Sequence, residues 1–261
     1  MAISRGGFRL LLEESHRKPF QGSVLELGRN TVYLTLQEVQ EWADRHSVQL
    51  HPTPCRLSNL TECAEAGCID DTTLFSSLGF STVHSCDISE AEHPTFEHDL
   101  NNPVPESLHE QYDVIIDSGT TEHIFDLQTV LGNIHKMLKV GGRAIFMTVP
   151  ASNYVDHGYY MFSPQLFFDY YCVNKYSIVS SYLIFFKRDF LRDPWMVYQY
   201  YPGVLDSFSY GCMPNDMMVS FWLCVEKRPD SLCTVIPQQG CSRPYLAGDA
   251  IPKVPEFICQ I

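Results

Sequence analysis

Long apolar stretches are scarce in this sequence. Near the start, residues 10–12 are three leucines, but Glu13 ends the run, which is too short for the core of a signal peptide. The aromatic segment 159–186 is interrupted by Asp169 and Lys175, and no stretch approaches the roughly 20 apolar residues needed to span a bilayer. We therefore expect neither a signal peptide nor a membrane partner.

Positive charge is also sparse. Lysine and arginine total 18 against 31 acidic residues, so the formal net charge is -13, and no run of basic residues is present. Such a surface repels a phosphate backbone, which argues against nucleic acid as a substrate or partner.

The ten cysteines lack the spacing of metal or redox motifs. None forms a C-x-x-C pair or lies at zinc-finger distance from a histidine. We interpret them as small buried hydrophobic residues in a reducing compartment, and expect a cytoplasmic protein. A disulfide framework among the cysteines at 224, 233, 241 and 259 is the alternative. The spacing of His93, His98 and Asp99 does not predict a metal site, and we expect none.

Several signatures of other enzyme classes are missing. The sequence contains no G-x-S-x-G, H-E-x-x-H or P-loop pattern, which leaves serine hydrolases, zinc peptidases and P-loop enzymes without support. The phosphate-binding pattern G-x-G-x-x-G is also absent. A nicotinamide-dependent oxidoreductase would require that loop, so this hypothesis is weak.

The apolar residues that are present alternate between strand and helix patterns. The sequence predicts strands over residues 23–28, 81–88, 112–117 and 143–149, and helices over residues 36–43, 70–78 and 127–138. Ser163 and Pro164 predict the N-cap and first residue of another helix, to about residue 171. Two late strands, 176–186 and 217–225, flank an aromatic insertion, and the tail from residue 229 is expected to be irregular.

This alternation predicts an α/β fold. We expect a doubly wound, mostly parallel sheet with helices on both faces and an antiparallel hairpin at one edge. The 261 residues suit a single domain, with a ligand-binding core at 20–150, an acceptor-side segment with the last strands at 151–228, and a tail at 229–261.

Acidic residues stand at the ends of three predicted strands. Glu26, Asp87 and Asp117 would meet at the carboxyl edge of a parallel sheet, where this fold binds ligands. Carboxylates suit ribose diols and ammonium groups rather than pyrophosphate. The pattern therefore indicates a cationic nucleoside ligand.

Five segments, taken in order, resemble the class I S-adenosylmethionine (SAM)-dependent methyltransferases, which have a Rossmann-like fold. They are residues 24–28, Asp87, residues 98–100, residues 113–117 with 121–123, and residues 138–143. The resemblance implies SAM as cofactor and a small-molecule or sugar-like acceptor. It also implies a cofactor site formed by Glu26, Gly28, Asp87, Asp99, Leu100, Asp117 and Gly119.

Three residues are candidates for catalysis on the acceptor side. His123 follows the strand that ends at Asp117, and His157 and Tyr159 follow the next predicted strand. A histidine in this position would deprotonate an acceptor hydroxyl or amine. Alignment of donor and acceptor would supply most of the rate enhancement.

The first loop departs from the family pattern. Where the family has two or three glycines, this chain has only Gly28, with Asn30 and Val32 at the other positions. Glycine allows a ligand to approach the backbone and allows φ > 0, which a β-branched residue adopts only at a cost. Either the loop follows a different path, or the cofactor sits differently, or binding is lost. The last case would leave a methyltransferase-like binding or scaffold protein. The sequence does not indicate an oligomeric state.

Overall fold

The structure is a computed structural model that describes residues 2–206, 214–242 and 255–261. The helices in these ranges are α1 (Arg5–Arg17), α2 (Leu36–Arg45), α3 (Thr61–Glu65), α4 (Asp71–Ser77), α5 (Leu127–Met137) and α6 (Pro164–Val173). The strands are β1 (Ala2–Ile3), β2 (Gly22–Leu27), β3 (Thr31–Val32), β4 (Phe80–Asp87), β5 (Phe96–Glu97), β6 (Tyr112–Asp117), β7 (Leu138–Ser152), β8 (Ser177–Phe186), β9 (Met196–Gln199), β10 (Met218–Glu226) and β11 (Phe257–Gln260). No helix among these residues has both the length and the apolar composition to cross a bilayer.

Nine strands form one sheet in the order β11-β9-β8-β10-β7-β6-β2-β4-β5. The five strands from β7 to β5 are parallel, and the remaining strands pair antiparallel, beginning with β10 against β7. This confirms the predicted Rossmann-like α/β class. The antiparallel part is larger than the predicted hairpin, because β9 and β11 extend it.

The central strands are buried on both faces. Successive residues of β6 point to opposite sides, so Ile115 joins one apolar cluster while Val114 and Ile116 join the other. Helices α5 and α6 cover the first face, and α1, α2 and α4 cover the second. Each fully buried side chain of this size stabilises the fold by about 1.5–3 kcal/mol relative to exposure, which explains the continuous apolar runs of these strands.

Side-chain caps fix where two central helices begin. Asp70 accepts a hydrogen bond from the Thr73 N–H at 2.7 Å, and Asp126 accepts one from the Thr129 N–H at 3.0 Å. The predicted start of α6 is confirmed, with Ser163 as the N-cap residue and Pro164 as the first helical residue, although the Ser163 side chain makes no capping hydrogen bond.

Two elements do not follow from the sequence pattern. Helix α1 begins after Ser4, whose hydroxyl accepts from the Gly7 N–H, and it buries residues 10–12 against the sheet. The prediction of an irregular tail is wrong for β11, which pairs antiparallel with β9 from the aromatic insertion. In both cases the helix or strand is stabilised by contacts with distant parts of the chain.

The described cysteines are all free thiols, which agrees with the interpretation that they are unpaired. Cys63, Cys68, Cys86 and Cys224 are buried, whereas Cys55 is exposed. The alternative disulfide framework is not formed among Cys224, Cys233, Cys241 and Cys259. Cys212 lies outside the described residues.

Candidate active site

Three parallel strands end side by side at one edge of the sheet. In the strand register Leu27 lies beside Cys86 on one side and beside Asp117 on the other. From β2 the chain adds β4 and β5 on one side, and it then crosses back to add β6 and β7 on the other side. This edge is therefore the topological switch point of the sheet. The loops that follow these strands form two neighbouring cavities.

The first cavity, of about 190 Å³, lies over the ends of β2 and β4. Four of the predicted cofactor residues line it, namely Gly28, Asp87, Asp99 and Leu100. The Asp87 carboxylate accepts from the Ser89 N–H at 2.9 Å and from the Arg29 N–H at 3.3 Å, which fixes its orientation at the cavity wall. A half-exposed carboxylate held in this way is suited to accept hydrogen bonds from a diol.

The loop after β2 needs only one glycine because it turns away from this cavity. Gly28 has φ of 69°, and its N–H donates to the Cys86 carbonyl at 2.7 Å. The chain then enters β3, which pairs with β1, and Val32 is buried there without a positive φ. Of the three alternatives for this loop, the structure shows the different path.

The Arg29 side chain also leaves the first cavity open. Its Nε lies 2.9 Å from an Asp71 carboxylate oxygen, and its Nη1 donates to the carbonyls of Glu92 and His93 at 3.2 Å each. The guanidinium is therefore held on the far side of the loop, among residues that line a separate cavity of about 430 Å³.

Glu26 and Asp117 lie beneath this edge rather than at a cavity wall. The Glu26 carboxylate is fully buried and accepts from the Asn30 side-chain amide at 2.6 Å, while its Oε1 has no hydrogen-bond partner among the described residues. Burial, reinforced by the charge of Asp71, raises the pKa of Glu26 well above its usual range. The predicted contact of Glu26 with the cofactor remains a prediction.

Asp117 shapes the turn that carries the catalytic candidates. Its buried carboxylate accepts from the Thr120 N–H at 2.8 Å and from the Thr121 hydroxyl, and so caps the short 3-10 turn Thr121–His123. Burial raises the pKa of Asp117, and these hydrogen bonds oppose the rise. Gly119, with φ of 99°, allows the chain to turn from β6 toward His123 and lines the second cavity.

The second cavity, of about 690 Å³, lies over the ends of β6 and β7. Glu122, His123, Tyr154, His157 and Arg188 contribute to its lining. His123 also lines the first cavity, so the two cavities meet at this residue. A ligand in the first cavity would therefore present one end to the second.

The structure brings two predicted catalytic residues together and separates the third. The rings of His123 and His157 lie 5.1 Å apart, and His157 Nε2 lies 3.7 Å from a Glu122 carboxylate oxygen. Tyr159 is 69% exposed, and its ring packs edge-on against Phe125 at 5.9 Å. The tyrosine hydroxyl therefore points to the outer surface, while the histidines face the cavity.

The pKa values of His123 and Glu122 are shifted in opposite directions. Partial burial lowers the pKa of the otherwise exposed His123, with a further contribution from the charge of His157. Burial raises the pKa of Glu122, and the charge of the neighbouring Asp117 raises it further.

Glu122 is the main residue of this site that the sequence did not predict. It lies within the quoted segment 121–123, but nothing in the sequence shows that its side chain is only 1% exposed or that it meets the histidine of a later loop. Left-handed backbone at Thr148, Asn153 and Asp156, which all line the second cavity, was also unpredicted. Such conformations are costly outside glycine and cluster at functional sites.

Comparison with known proteins identifies relatives of this architecture. A family model described as a methyltransferase domain matches residues 8–189. A search of curated proteins finds no match.

Solved structures with a similar arrangement share little sequence with this chain. The 1,6-didemethyltoxoflavin-N1-methyltransferase of Burkholderia thailandensis is 12% identical, with 85% of this chain and 76% of that chain covered and a TM-score of 0.40. TehB of Haemophilus influenzae is 11% identical, with coverage of 83% and 61% and a TM-score of 0.44. A SAM-dependent methyltransferase structure from Methanococcus maripaludis is 13% identical with a TM-score of 0.32, and the match spans only about half of each chain, 53% and 54%.

Proposed function

Because the chain belongs to the class I SAM-dependent methyltransferase family, with SAM as its cofactor, we propose that it methylates a small-molecule or sugar-like acceptor held in the second cavity. The observation that carries this proposal is that His123 lines both cavities. A donor bound in the first cavity and an acceptor in the second would meet beside its imidazole. Alignment of this kind is the main requirement of methyl transfer.

The residues of the first cavity fit the nucleoside part of SAM. The Asp87 carboxylate would accept hydrogen bonds from the ribose hydroxyls, and the missing Cβ of Gly28 leaves the backbone open to close approach. Asp99 and Leu100 line the same cavity. When bound, SAM supplies an electrophilic methyl group on a sulfonium.

The histidines would manage the acceptor proton. His123, whose pKa is lowered by partial burial, would accept the proton of an acceptor hydroxyl at a ring nitrogen. His157, whose side chain is 48% exposed, would pass that proton toward solvent. Tyr159, which the sequence placed with the catalytic residues, would serve in this proposal through its backbone N–H, which donates to the Glu122 carbonyl at 2.9 Å.

The alternative of a binding or scaffold protein without methyl transfer loses its main support. It rested on the missing glycines, which would matter if Arg29 or Val32 filled the first cavity. Arg29 is held by Asp71 and Val32 lies in β3, so the space is open. A cytoplasmic location remains a prediction from composition, and a small-molecule partner remains a prediction from the family resemblance.

Calorimetric titration with S-adenosylhomocysteine tests the proposal. The wild-type protein should bind it, and Asp87→Ala should bind at least about tenfold more weakly, because hydrogen bonds to a charged group contribute about 1.5–3 kcal/mol. Asp230→Ala is a matched control, since that carboxylate lies in an exposed surface pair with Lys175 and Arg228. No heat from correctly folded wild-type protein would refute the proposal, as would equal affinity in both variants.

A further inference from the structure

Three side chains of types that commonly bind metals meet at the wall of the second cavity. One donor atom each from Glu122, His123 and His157 lies within 4.8 Å of the others. The His157 Nε2 atom and a Glu122 carboxylate oxygen are 3.7 Å apart. Two imidazoles and one carboxylate form a common ligand set for zinc and other divalent transition metals, which usually leaves one or more coordination positions open.

One oxygen of the Glu122 carboxylate lacks the partner that a buried acid normally has. Its side chain is 1% exposed, and Oε2 makes no hydrogen bond among the described residues. Buried polar atoms are almost always hydrogen-bonded, because an unpaired one costs about 1–3 kcal/mol. Arg188 lines the same cavity, but the described contacts include no ion pair between it and Glu122. The free oxygen is therefore available to a cation in the cavity.

The local charge balance favours a cation as well. Glu122 lies beside the buried Asp117, so two carboxylates share one poorly solvated region. A divalent ion would offset both acids, whereas a water molecule would not.

Backbone contacts hold the three ligands in place. The Glu122 carbonyl accepts from the N–H groups of Tyr159 and Tyr160 at 2.9 and 3.2 Å, which docks the His157 loop onto the turn. A Cβ at Gly158 would lie only 3.1 Å from His123 Nδ1, so the loop approaches as closely as glycine permits. Ligands of a tetrahedral zinc ion lie about 3.3 Å apart, given metal–nitrogen bonds of about 2.0–2.1 Å. Rotation of the half-exposed His157 ring would supply the remaining approach.

We propose that Glu122, His123 and His157 bind a divalent transition-metal ion at the acceptor side of the site. In a role that rests on the proposed function, the open coordination position of this ion would hold the acceptor through a hydroxyl oxygen and lower the pKa of that hydroxyl. With the metal bound, His123 is a ligand, and the hydroxyl proton would leave to solvent instead of to its imidazole. Three protein ligands and one open position are the arrangement of catalytic rather than structural sites. The acceptor class then becomes compounds whose hydroxyl groups coordinate a metal, such as vicinal diols.

Cobalt(II) titration of EDTA-treated, full-length protein tests the site directly. We expect one Co²⁺ per chain, with visible d–d absorption bands and without the near-ultraviolet charge-transfer band that a thiolate ligand such as Cys55 would produce. Glu122→Gln and His157→Ala should each weaken Co²⁺ binding by at least about tenfold, since even residues that only orient ligands change metal affinity by about 10–100-fold. His16→Ala, at an exposed position of α1, should bind like the wild type.

Two variants keep the test valid if one misfolds. Glu122→Gln preserves the shape of a buried residue, and His157→Ala changes a half-exposed one, so circular dichroism should show that the second is folded. Absence of Co²⁺ binding, a thiolate band, or unchanged affinity in the folded His157→Ala protein would overturn the metal site.

S-adenosylhomocysteine binding separates this inference from the proposed function. The ligand should bind the metal-free protein, because the first cavity contains none of the three residues except His123. Binding of S-adenosylhomocysteine without binding of Co²⁺ would refute only the metal site. The reverse result would refute only the SAM-dependent function.

Discussion

His135 shows how burial sets the charge of a single side chain in this protein. Its Nδ1 lies 2.7 Å from the Tyr176 hydroxyl, and the two rings meet edge to face at 6.0 Å. Burial, together with the positive charge of Lys227 and a smaller effect of Lys136, lowers the pKa of His135 to about 4, against the opposing charge of Glu110. The folded protein therefore keeps this imidazole neutral at pH values where the unfolded chain protonates it.

The pH dependence of stability follows from that difference. Because the folded-state pKa lies below the unfolded value of about 6.5, the contribution is complete above pH 6.5 and is lost as the pH falls toward 4. We expect a loss of about 1–2 kcal/mol over this window, since the half-exposed ring is partly solvated. His135→Gln, which cannot titrate but can still bond the Tyr176 hydroxyl, should lose less.

Urea unfolding at several pH values between 7 and 4 measures the effect. The control His16→Gln changes an exposed histidine and should follow the wild type. If the wild type and His135→Gln lose the same stability as the pH falls, the depressed pKa of His135 does not contribute to the loss.

At the scale of elements, the docking of one loop on one turn organises the acceptor side. The loop after β7 reaches back to the turn after β6, and Gly158 lies at the contact. A Cβ at that position would lie 2.9 Å from the Glu122 carbonyl oxygen and 3.1 Å from His123 Nδ1. The carbonyl belongs to the backbone and cannot move freely, so a larger residue must displace the loop.

Gly158→Ala should therefore disturb the acceptor side while leaving the first cavity intact. We expect the free energy of unfolding to fall by about 1–3 kcal/mol, as in other overpacked sites, and methyl transfer to slow. Affinity for S-adenosylhomocysteine should remain at the wild-type level, since Gly158 does not line the first cavity. Calorimetry and denaturant unfolding measure the two effects separately.

Gly132 offers a matched control inside α5. A Cβ there would contact nothing within 4 Å, and alanine is favoured over glycine in a helix by about 0.5–1 kcal/mol. Gly132→Ala should thus be as stable as the wild type or more so. If Gly158→Ala is also as stable as the wild type, the close approach of loop and turn does not affect the free energy of unfolding.

The parts of the fold that the sequence predicts are those with local signals. The run 112–117 coincides with β6 because its middle residues, 114–116, are apolar on both faces of the strand. Asp70 marks the start of α4 because its side chain bonds the backbone three residues later. β11 gives no such signal, because an edge strand of four residues is defined by its partner β9.

The sequence predicts where the candidate site residues lie in the fold, but not which contacts their side chains make. Strand ends identify Gly28 and Asp87, since a parallel sheet aligns them whatever the side chains do. The orientation of Asp117, which bonds its own turn, and the meeting of Glu122 with His157 depend on side-chain packing across 35 residues of chain. No periodicity in the sequence carries that information.

In the molecule as a whole, the two cavities lie along one edge where the parallel and antiparallel parts of the sheet meet. The first lies over the parallel strands β2 and β4, and the second extends from β6 and β7 to residues that follow β8 and begin β10. The proposed acceptor side is thus formed partly by the parallel strands β6 and β7 and partly by the antiparallel part of the fold. Changes there should alter the acceptor and leave the cofactor site unchanged.

A buried ionic network joins α1 to this sheet. Arg143 of β7 donates to the carbonyls of Glu14 and Lys18 at 3.0 and 2.7 Å, and it lies 3.7 Å from the buried Glu14 carboxylate. The Ser180 hydroxyl of β8 donates to the same carboxylate. Removing Arg143 would leave two carbonyls without their donor, and the buried Glu14 carboxylate would keep only Arg17, which is 38% exposed and lies 3.0 Å from its other oxygen.

Arg143→Met should therefore cost about 3–5 kcal/mol of unfolding free energy, measured by urea denaturation. Lys18→Met, which removes an exposed ion pair with Glu226, should cost no more than about 1 kcal/mol. The double variant Glu14→Leu with Arg143→Met should be more stable than Arg143→Met alone, because an apolar pair of similar size carries no unpaired charge. The single variant Glu14→Leu completes the comparison. If the double variant loses as much unfolding free energy as the two single variants added together, the charged pair does not act as a unit, and the cost of Arg143→Met does not come from a buried unpaired charge.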